Sequence, residues 1–130
     1  MNDKVTVNVT GVIRAPVTDV WSIAREFTTA WHPAMASCEL AEGADPFAPG
    51  ALRRFTVHGE SQRYAERLTG FSDDQRYLAY TLEEGPSGLE GYSATFEVTP
   101  AFWQDWTCVR WSGMFYCAPD QVSGLWDGTD

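Results

Sequence analysis

No long apolar run, no cluster of basic residues and no cysteine pair marks this chain, and each absence removes a class of function. Nothing in it approaches the roughly 20 apolar residues of a membrane span. The amino terminus, Met-Asn-Asp-Lys-Val-Thr-Val, has no apolar signal region, so a cytoplasmic protein with no membrane partner is expected. Nine Lys and Arg stand against 18 Asp and Glu, a formal net charge of -9. Like charge repels phosphate, so nucleic acid and anionic membrane are excluded as expected partners. The cysteines are Cys38, Cys108 and Cys117, with no C-x-x-C pair and no His at ligand spacing. They read as small buried hydrophobes, and no metal is expected. A Gly-rich phosphate loop, a G-x-S-x-G elbow and an H-E-x-x-H pair are all missing, and no cofactor is expected either. What remains is a small molecule or another protein.

What is present reads as one domain of strands with a single convincing helical stretch. The chain has 130 residues, 44% of them hydrophobic and 21% charged, which suits one soluble core. Residues 4–13 alternate Val5, Val7 and Val9 against Thr6, Asn8 and Thr10, the period of a half-buried strand. Pro16 then starts a helix with Asp19 near its amino end, and Val17, Val20, Trp21 and Ala24 fall on one face. That helix is expected to end near Phe27, before Thr28 and Thr29, with a second short turn at Trp31, His32 and Pro33. Six further strands are expected at 35–42, 51–58, 62–71, 77–84, 90–99 and 106–117, separated by turn signals, as a meander of antiparallel hairpins. Phe102, Trp103 and Trp106 crowd the last turn and suggest a protein contact or a cover over the core.

Particular residues then carry a resemblance. They are Ala-Pro-Val-Thr-Asp-Val-Trp at 15–21, Pro49-Gly50 with Arg53, Ala-Glu-Arg-Leu at 65–68, Asp73-Asp74, Gly91-Tyr92-Ser93 and Val-Arg-Trp-Ser at 109–112. In this order, over about residues 5–117, the chain resembles the START-like (SRPBCC) superfamily, which includes polyketide cyclase/dehydrases, the major birch pollen allergen and the plant abscisic-acid receptors. The resemblance implies an α+β helix-grip fold: a seven-stranded curved antiparallel sheet with two short helices after the first strand, forming a single ligand-binding domain over residues 1–130. Two departures stand out. The abscisic-acid receptors anchor the hormone carboxylate on a lysine just before a Ser-Cys pair, whereas Ala36 precedes Ser37-Cys38 here, which argues against that kind of sensing. Family members also end in a long amphipathic helix that fills the grip. Residues 119–130, with two glycines, can make one or two turns at most, so that helix is expected to be truncated or absent, with 118–130 a short tail. Three explanations stay open: a cavity open on one side, a cover from a second copy or partner subunit, or a shortened chain. If the tail folds back, Leu125 and Trp126 are the residues to dock.

The resemblance also places Glu66 and Tyr92 toward the ligand space, and alternation along each strand then fixes their neighbours. Tyr64 and Leu68 share the side of Glu66; Leu78, Tyr80 and Leu82 follow on the next strand, and Ala94, Phe96 and Val98 on the one after. Arg53, Phe55 and Val57 match the inward positions of the third strand, and Val109, Trp111, Gly113 and Phe115 are the more apolar set of the last. The expected pocket is aromatic and mostly apolar with a few polar groups, as small-molecule sites are. Within it, Glu66 is the expected general acid or base, because a carboxyl facing an apolar cavity is desolvated; the competing role is a structural ion pair with Arg53. Tyr64 and Tyr92, with Arg53, are expected to polarise a carbonyl, and His32 is a further proton-transfer candidate at the mouth beside Trp31. His58, on a hairpin tip, is the other histidine. The expected function is a cofactor-independent cyclase/dehydrase acting on a hydrophobic, polyketide-like molecule of secondary metabolism. The alternative is a non-catalytic carrier or sensor of such a ligand, working through a protein partner.

Overall fold

The computed structural model describes residues 3–102 and 104–118. The expectations placed on Trp103 and on the tail from 119 onward lie outside the described residues. Among the described residues the elements run β1 (Asp3–Ile13), α1 (Val17–Ala24), β2 (Met35–Glu42), β3 (Leu52–Val57), β4 (Arg63–Ser72), β5 (Tyr77–Glu84), β6 (Glu90–Pro100) and β7 (Thr107–Cys117). All seven strands form one antiparallel sheet in the order β1-β7-β6-β5-β4-β3-β2. Strands β2 to β7 are a simple meander, while β1 joins at the far side by pairing with β7, Val9 opposite Trp111 and Val7 opposite Gly113. Consecutive strands β1 and β2 are therefore the two edges of an open, curved sheet, in the helix-grip arrangement that the sequence implied. The segment between them has to cross the whole concave face, and it carries the helix with it.

This crossing explains where α1 lies and what it buries. The carbonyl of Pro16 accepts the N–H groups of Asp19 and Val20 at 3.0 and 3.1 Å, so the proline whose ring cannot donate becomes the first acceptor of the helix. Val20, Trp21 and Ala24 face down and are buried, as the 3.6-residue spacing requires. The helix stops at Ala24, with Arg25 as its cap, three residues before the expected end at Phe27. Continuing it would keep Phe27 on the helix surface. Leaving it lets the Phe27 ring enter the core, where it is 1% exposed. A succession of short turns follows in place of a second helix, with Thr29 N–H donating to the Glu26 carbonyl and Met35 N–H to the His32 carbonyl. Two threonines and a proline that restricts the residue before it do not propagate helical bonds.

One side-chain cluster pins the end of α1 to the sheet. Trp21 Nε1 donates to Asp73 Oδ1 at 2.8 Å, and Arg25 reaches both oxygens of the same carboxylate at 3.0 and 3.3 Å. The Arg25 guanidinium also lies 4.1 Å from the centre of the Phe47 ring. Hydrogen bonds from Arg25 and then Trp21 hold the Asp73 carboxyl below its ordinary value. A depressed carboxyl contributes stability that is present above the unfolded value of 3.8 and is lost as pH falls through the folded one. Asp73→Asn, which retains an acceptor for Trp21 but loses the charge, should therefore cost under about 1 kcal/mol at pH 7, since the pair is partly exposed. In denaturant titrations the difference from the unsubstituted protein should shrink toward zero in acid; a constant difference across pH would reject the charge-based account.

A bulge in β4 does the remaining work on the core. Leu68 pairs with Tyr80, but Gly70 then pairs with Ala79 and Phe71 with Leu78, so the alternation slips by one residue. The slip brings both Leu68 and Phe71 to the inner side, and Phe71 packs on Trp21 with ring centroids 5.8 Å apart.

Candidate functional site

Between α1 with its following turns and the concave face of β3 to β7 lies a cavity of about 340 Å³, lined by Ala24, Phe27, Trp31, His32, Met35, Arg53, Leu78, Tyr80, Phe96 and Trp111. Its walls are apolar and mainly aromatic; its polar groups are one guanidinium, one phenol, one imidazole and two indoles. A second hollow of about 410 Å³ lies on the other side of Trp31 and His32, toward β1 and β7, and shares Ala24, Trp31, His32 and Phe96 with the first. Ile13, Val20, Ile23 and Val109 complete its lining with Ala15 and Asp19. Trp31 and His32 thus stand between the two spaces, their rings 5.9 Å apart.

Arg53 is the electrostatic centre of the first cavity. It sits on β3 directly opposite Glu66 of β4, and both face inward. Arg53 Nε and Nη2 donate to the same Glu66 oxygen, Oε1, at 2.9 and 2.5 Å, while Nη1 donates to the Phe27 carbonyl at 2.9 Å. The guanidinium is held among rings, 4.1 Å from the centroid of Phe27 and 5.2 Å from that of Tyr80. Burial pushes the Glu66 carboxyl above its ordinary value, and the charge and hydrogen bonds of Arg53 pull it back without fully offsetting the burial. Guanidinium and carboxylate are both nearly enclosed, with side-chain exposures of 10% and 8%. The pair anchors the Phe27 turn to the sheet and leaves two of the five guanidinium N–H groups uncommitted.

The sequence-predicted site residues divide into those at the cavity and those beside it. Trp31, His32, Arg53, Tyr80, Phe96 and Trp111 line it. Glu66 does not; it stands behind Arg53 and is occupied by it. Tyr64 lies outside the lining, stacked on Phe55 at 4.9 Å, and its hydroxyl donates at 2.5 Å to Glu60, which with burial pushes its proton affinity up to about 12. Tyr92 is half-buried and stacked against Phe115 rather than at the cavity wall, and burial pushes it up further than Tyr64. Phe55, Leu68 and Ala94 are buried core residues outside the lining, and Val57 and Leu82 are half-buried and also outside it. Leu78, placed on the inner face with Tyr80, also lines the cavity, while Ala24, Phe27 and Met35 are lining residues that the expected pocket did not include. Ala24 and Phe27 continue the apolar spacing of Val17, Val20 and Trp21, and that spacing was the signal for them.

His32 has a defined tautomer. Its Nδ1 accepts the Ala34 N–H at 3.1 Å, so in the neutral ring the proton resides on Nε2, and the imidazole offers a donor rather than a base. Tyr80 is deeper; burial pushes it up to about 12, and its oxygen accepts a hydrogen bond from Trp111 Nε1 at 2.9 Å. Cys38, next to this region, gives its thiol hydrogen to the Phe27 carbonyl at 3.6 Å, and burial raises its proton affinity. Among the described residues no group of three or more His, Cys, Asp or Glu side chains is arranged to hold a metal ion. None of the described helices is long and apolar enough to cross a membrane.

Comparison with known proteins supplies a context for this geometry. A family model described as polyketide cyclase / dehydrase and lipid transport matches residues 4–129. No curated protein matches the sequence. Among solved structures, a protein of Thermobifida fusca is similar at 31% identity, with a TM-score of 0.79 over 95% of this chain and 83% of that one. A protein of Nitrosospira multiformis is similar at 29% identity, TM-score 0.78, over 93% and 86%. Norcoclaurine synthase of Thalictrum flavum shares the fold at 18% identity, TM-score 0.76, over 99% of this chain and 79% of that one.

Proposed function

Because the chain belongs to the polyketide cyclase / dehydrase and lipid transport family, we propose that it seats a hydrophobic, ring-bearing or polyketide-like molecule in the cavity under α1 and promotes its cyclisation or dehydration without a cofactor. The observation that carries this reading is an aromatic cavity of about 340 Å³ with one buried guanidinium in its wall. Apolar walls fold the substrate and hold reacting atoms together, which supplies rate through proximity. Arg53, whose remaining N–H groups are desolvated and fixed by Glu66, polarises a carbonyl. His32 adds a donor at the mouth. Glu66 enters this scheme as the residue that holds Arg53, so Glu66→Gln acts on the placement of the guanidinium and not on a proton removed from substrate.

Binding is tested with the neutral fluorophore N-phenyl-1-naphthylamine. Saturable enhancement at one site per chain is expected, and Ala24→Phe, which builds a ring into the space from α1, should abolish it while thermal melting shows a folded protein. Absence of saturable binding by the unsubstituted protein would reject the proposal.

The second reading, a carrier or sensor, is favoured by a different observation. Ile13 and Ile23 are 41% and 55% exposed at the second hollow, a surface suited to a partner subunit or a second copy. A linear poly-β-ketone mimic followed by mass spectrometry distinguishes the two: loss of water marks a cyclase/dehydrase, and return of the unchanged compound marks a carrier.

A further inference from the structure

Tyr80 differs from the other polar groups of the cavity in how its hydroxyl is held. The oxygen accepts the indole N–H of Trp111, and among the described residues no acceptor takes the phenolic proton. Two residues along β7, a glycine makes that arrangement sterically feasible. A Cβ built on Gly113 would come within 2.7 and 2.9 Å of Cη2 and Cζ2 of Trp111, distances that real side chains do not adopt. Gly113 has no positive φ, so its backbone does not call for glycine; the space under the indole does. The indole lies back over residue 113 with its N–H at Tyr80, where any larger residue would push it off.

This support has a chemical consequence. A phenol oxygen that already accepts a fixed N–H has its rotation restricted, and donation to the oxygen strengthens the O–H as a donor. Burial keeps Tyr80 protonated far above neutral pH, with a value of about 12, so it remains a donor throughout the physiological range. Ligands that offer an acceptor gain a hydrogen bond; those that do not leave the donor unpaired in an apolar wall, the asymmetry on which sharp discrimination rests.

We infer that Trp111, seated on Gly113, is a positioning residue that orients the Tyr80 hydroxyl toward a carbonyl oxygen of the bound molecule, so that the cavity selects apolar ketones over hydrocarbons of the same shape. This deepens the proposed ligand-binding function and rests on it. The role falls to Tyr80 and not to Tyr64, whose hydroxyl is engaged by Glu60.

The test uses two probes that differ by an oxygen in place of a methyl group, 2-acetylnaphthalene and 2-isopropylnaphthalene, with affinities measured by equilibrium dialysis. The unsubstituted protein should prefer the ketone by about tenfold, the worth of one net hydrogen bond of about 1.4 kcal/mol. Tyr80→Phe should bring that preference close to one while changing hydrocarbon affinity by less than about threefold. Trp111→Phe, which keeps an aromatic ring and removes the N–H, should lower the preference part of the way, and Gly113→Ala should do the same by displacing the indole. The infrared carbonyl stretch of bound 2-acetylnaphthalene provides a readout independent of affinity: it should shift to lower wavenumber in the unsubstituted protein, return in Tyr80→Phe and lie between in Trp111→Phe. An unchanged preference and stretch in Tyr80→Phe would overturn the donor assignment. A full preference retained in Trp111→Phe would overturn the positioning role. If neither probe binds the unsubstituted protein, the ligand-binding reading fails, and this inference with it. Should Gly113→Ala not fold, the Trp111→Phe comparison decides.

Discussion

Arg53→Met is expected to lower the unfolding free energy by about 3–5 kcal/mol, because it leaves the Glu66 carboxylate buried with no opposite charge. The loss has three parts. Glu66 keeps its burial but loses both donors at 2.9 and 2.5 Å. The Phe27 carbonyl loses its 2.9 Å bond to Nη1, so the turn that follows α1 loses its tie to β3 and keeps only the Cys38 thiol at that oxygen. The rings of Phe27 and Tyr80 lose the cation between them. The pH dependence gives the sign. With Arg53 gone, nothing offsets the burial, and the Glu66 carboxyl rises further above its ordinary 4.5. A raised carboxyl contributes stability that is fully present below the unfolded value and is lost as pH rises through the folded one. The deficit of Arg53→Met is therefore largest near neutral pH and shrinks in acid. Combining it with Glu66→Leu should restore most of the loss, since two apolar side chains replace an ion pair at little net cost. Chemical denaturation of the two single variants and the double, at two pH values, checks all of this. A double variant as unstable as Arg53→Met alone would show that the Phe27 turn, and not the charge pair, dominates. Glu66→Gln, which retains a carbonyl acceptor for Arg53, should cost about 1–2 kcal/mol.

That pair also marks where the sequence stopped being informative. The resemblance put Glu66 and Arg53 on the inner side, and strand alternation carried that choice to their neighbours, because period two specifies a face. It does not specify register, and the register here sets Arg53 directly opposite Glu66, which turns a carboxylate expected to meet substrate into the partner of a guanidinium. The strand limits came out within two residues, since Val5 to Ile13 and the later runs alternate cleanly and end at Gly, Pro and Asp. The pairing of β1 with β7 was not legible, as no local pattern encodes a contact between residues 3 and 117. The α1 limit was set too late because the stop was read from Thr28 and Thr29, while tertiary packing drew the Phe27 ring into the core and ended the helix at Ala24. The slip at Leu68 and Gly70 was likewise silent, although Gly70 was its only local sign. Gly113 read as an inner-face strand residue; that it seats an indole depends on the rotamer of Trp111, which sequence does not carry.

Phe27→Ala is expected to have the second large effect and to act on stability and ligand size in opposite directions. The ring is 1% exposed, lies 5.8 Å from Tyr80, carries the Arg53 guanidinium at 4.1 Å and lines the cavity. Its removal costs the transfer of a buried aromatic side chain together with the space left behind, about 3–5 kcal/mol. The backbone carbonyl of residue 27 survives the change, so Arg53 Nη1 and the Cys38 thiol retain their acceptor and the turn after α1 keeps its anchor. The damage is therefore local, and the void opens into an existing hollow of about 340 Å³. A dry apolar void of this kind admits apolar molecules. The variant should melt well below the unsubstituted protein, lose affinity for N-phenyl-1-naphthylamine through lost contacts, and gain affinity for a probe carrying one further phenyl ring. Because a ligand that binds only the folded state stabilises by mass action, that larger probe should raise the melting temperature of Phe27→Ala more than that of the unsubstituted protein, in proportion to the logarithm of its concentration over Kd. Equal shifts for both proteins would place the probe away from Phe27 and separate the cavity under α1 from the ligand site.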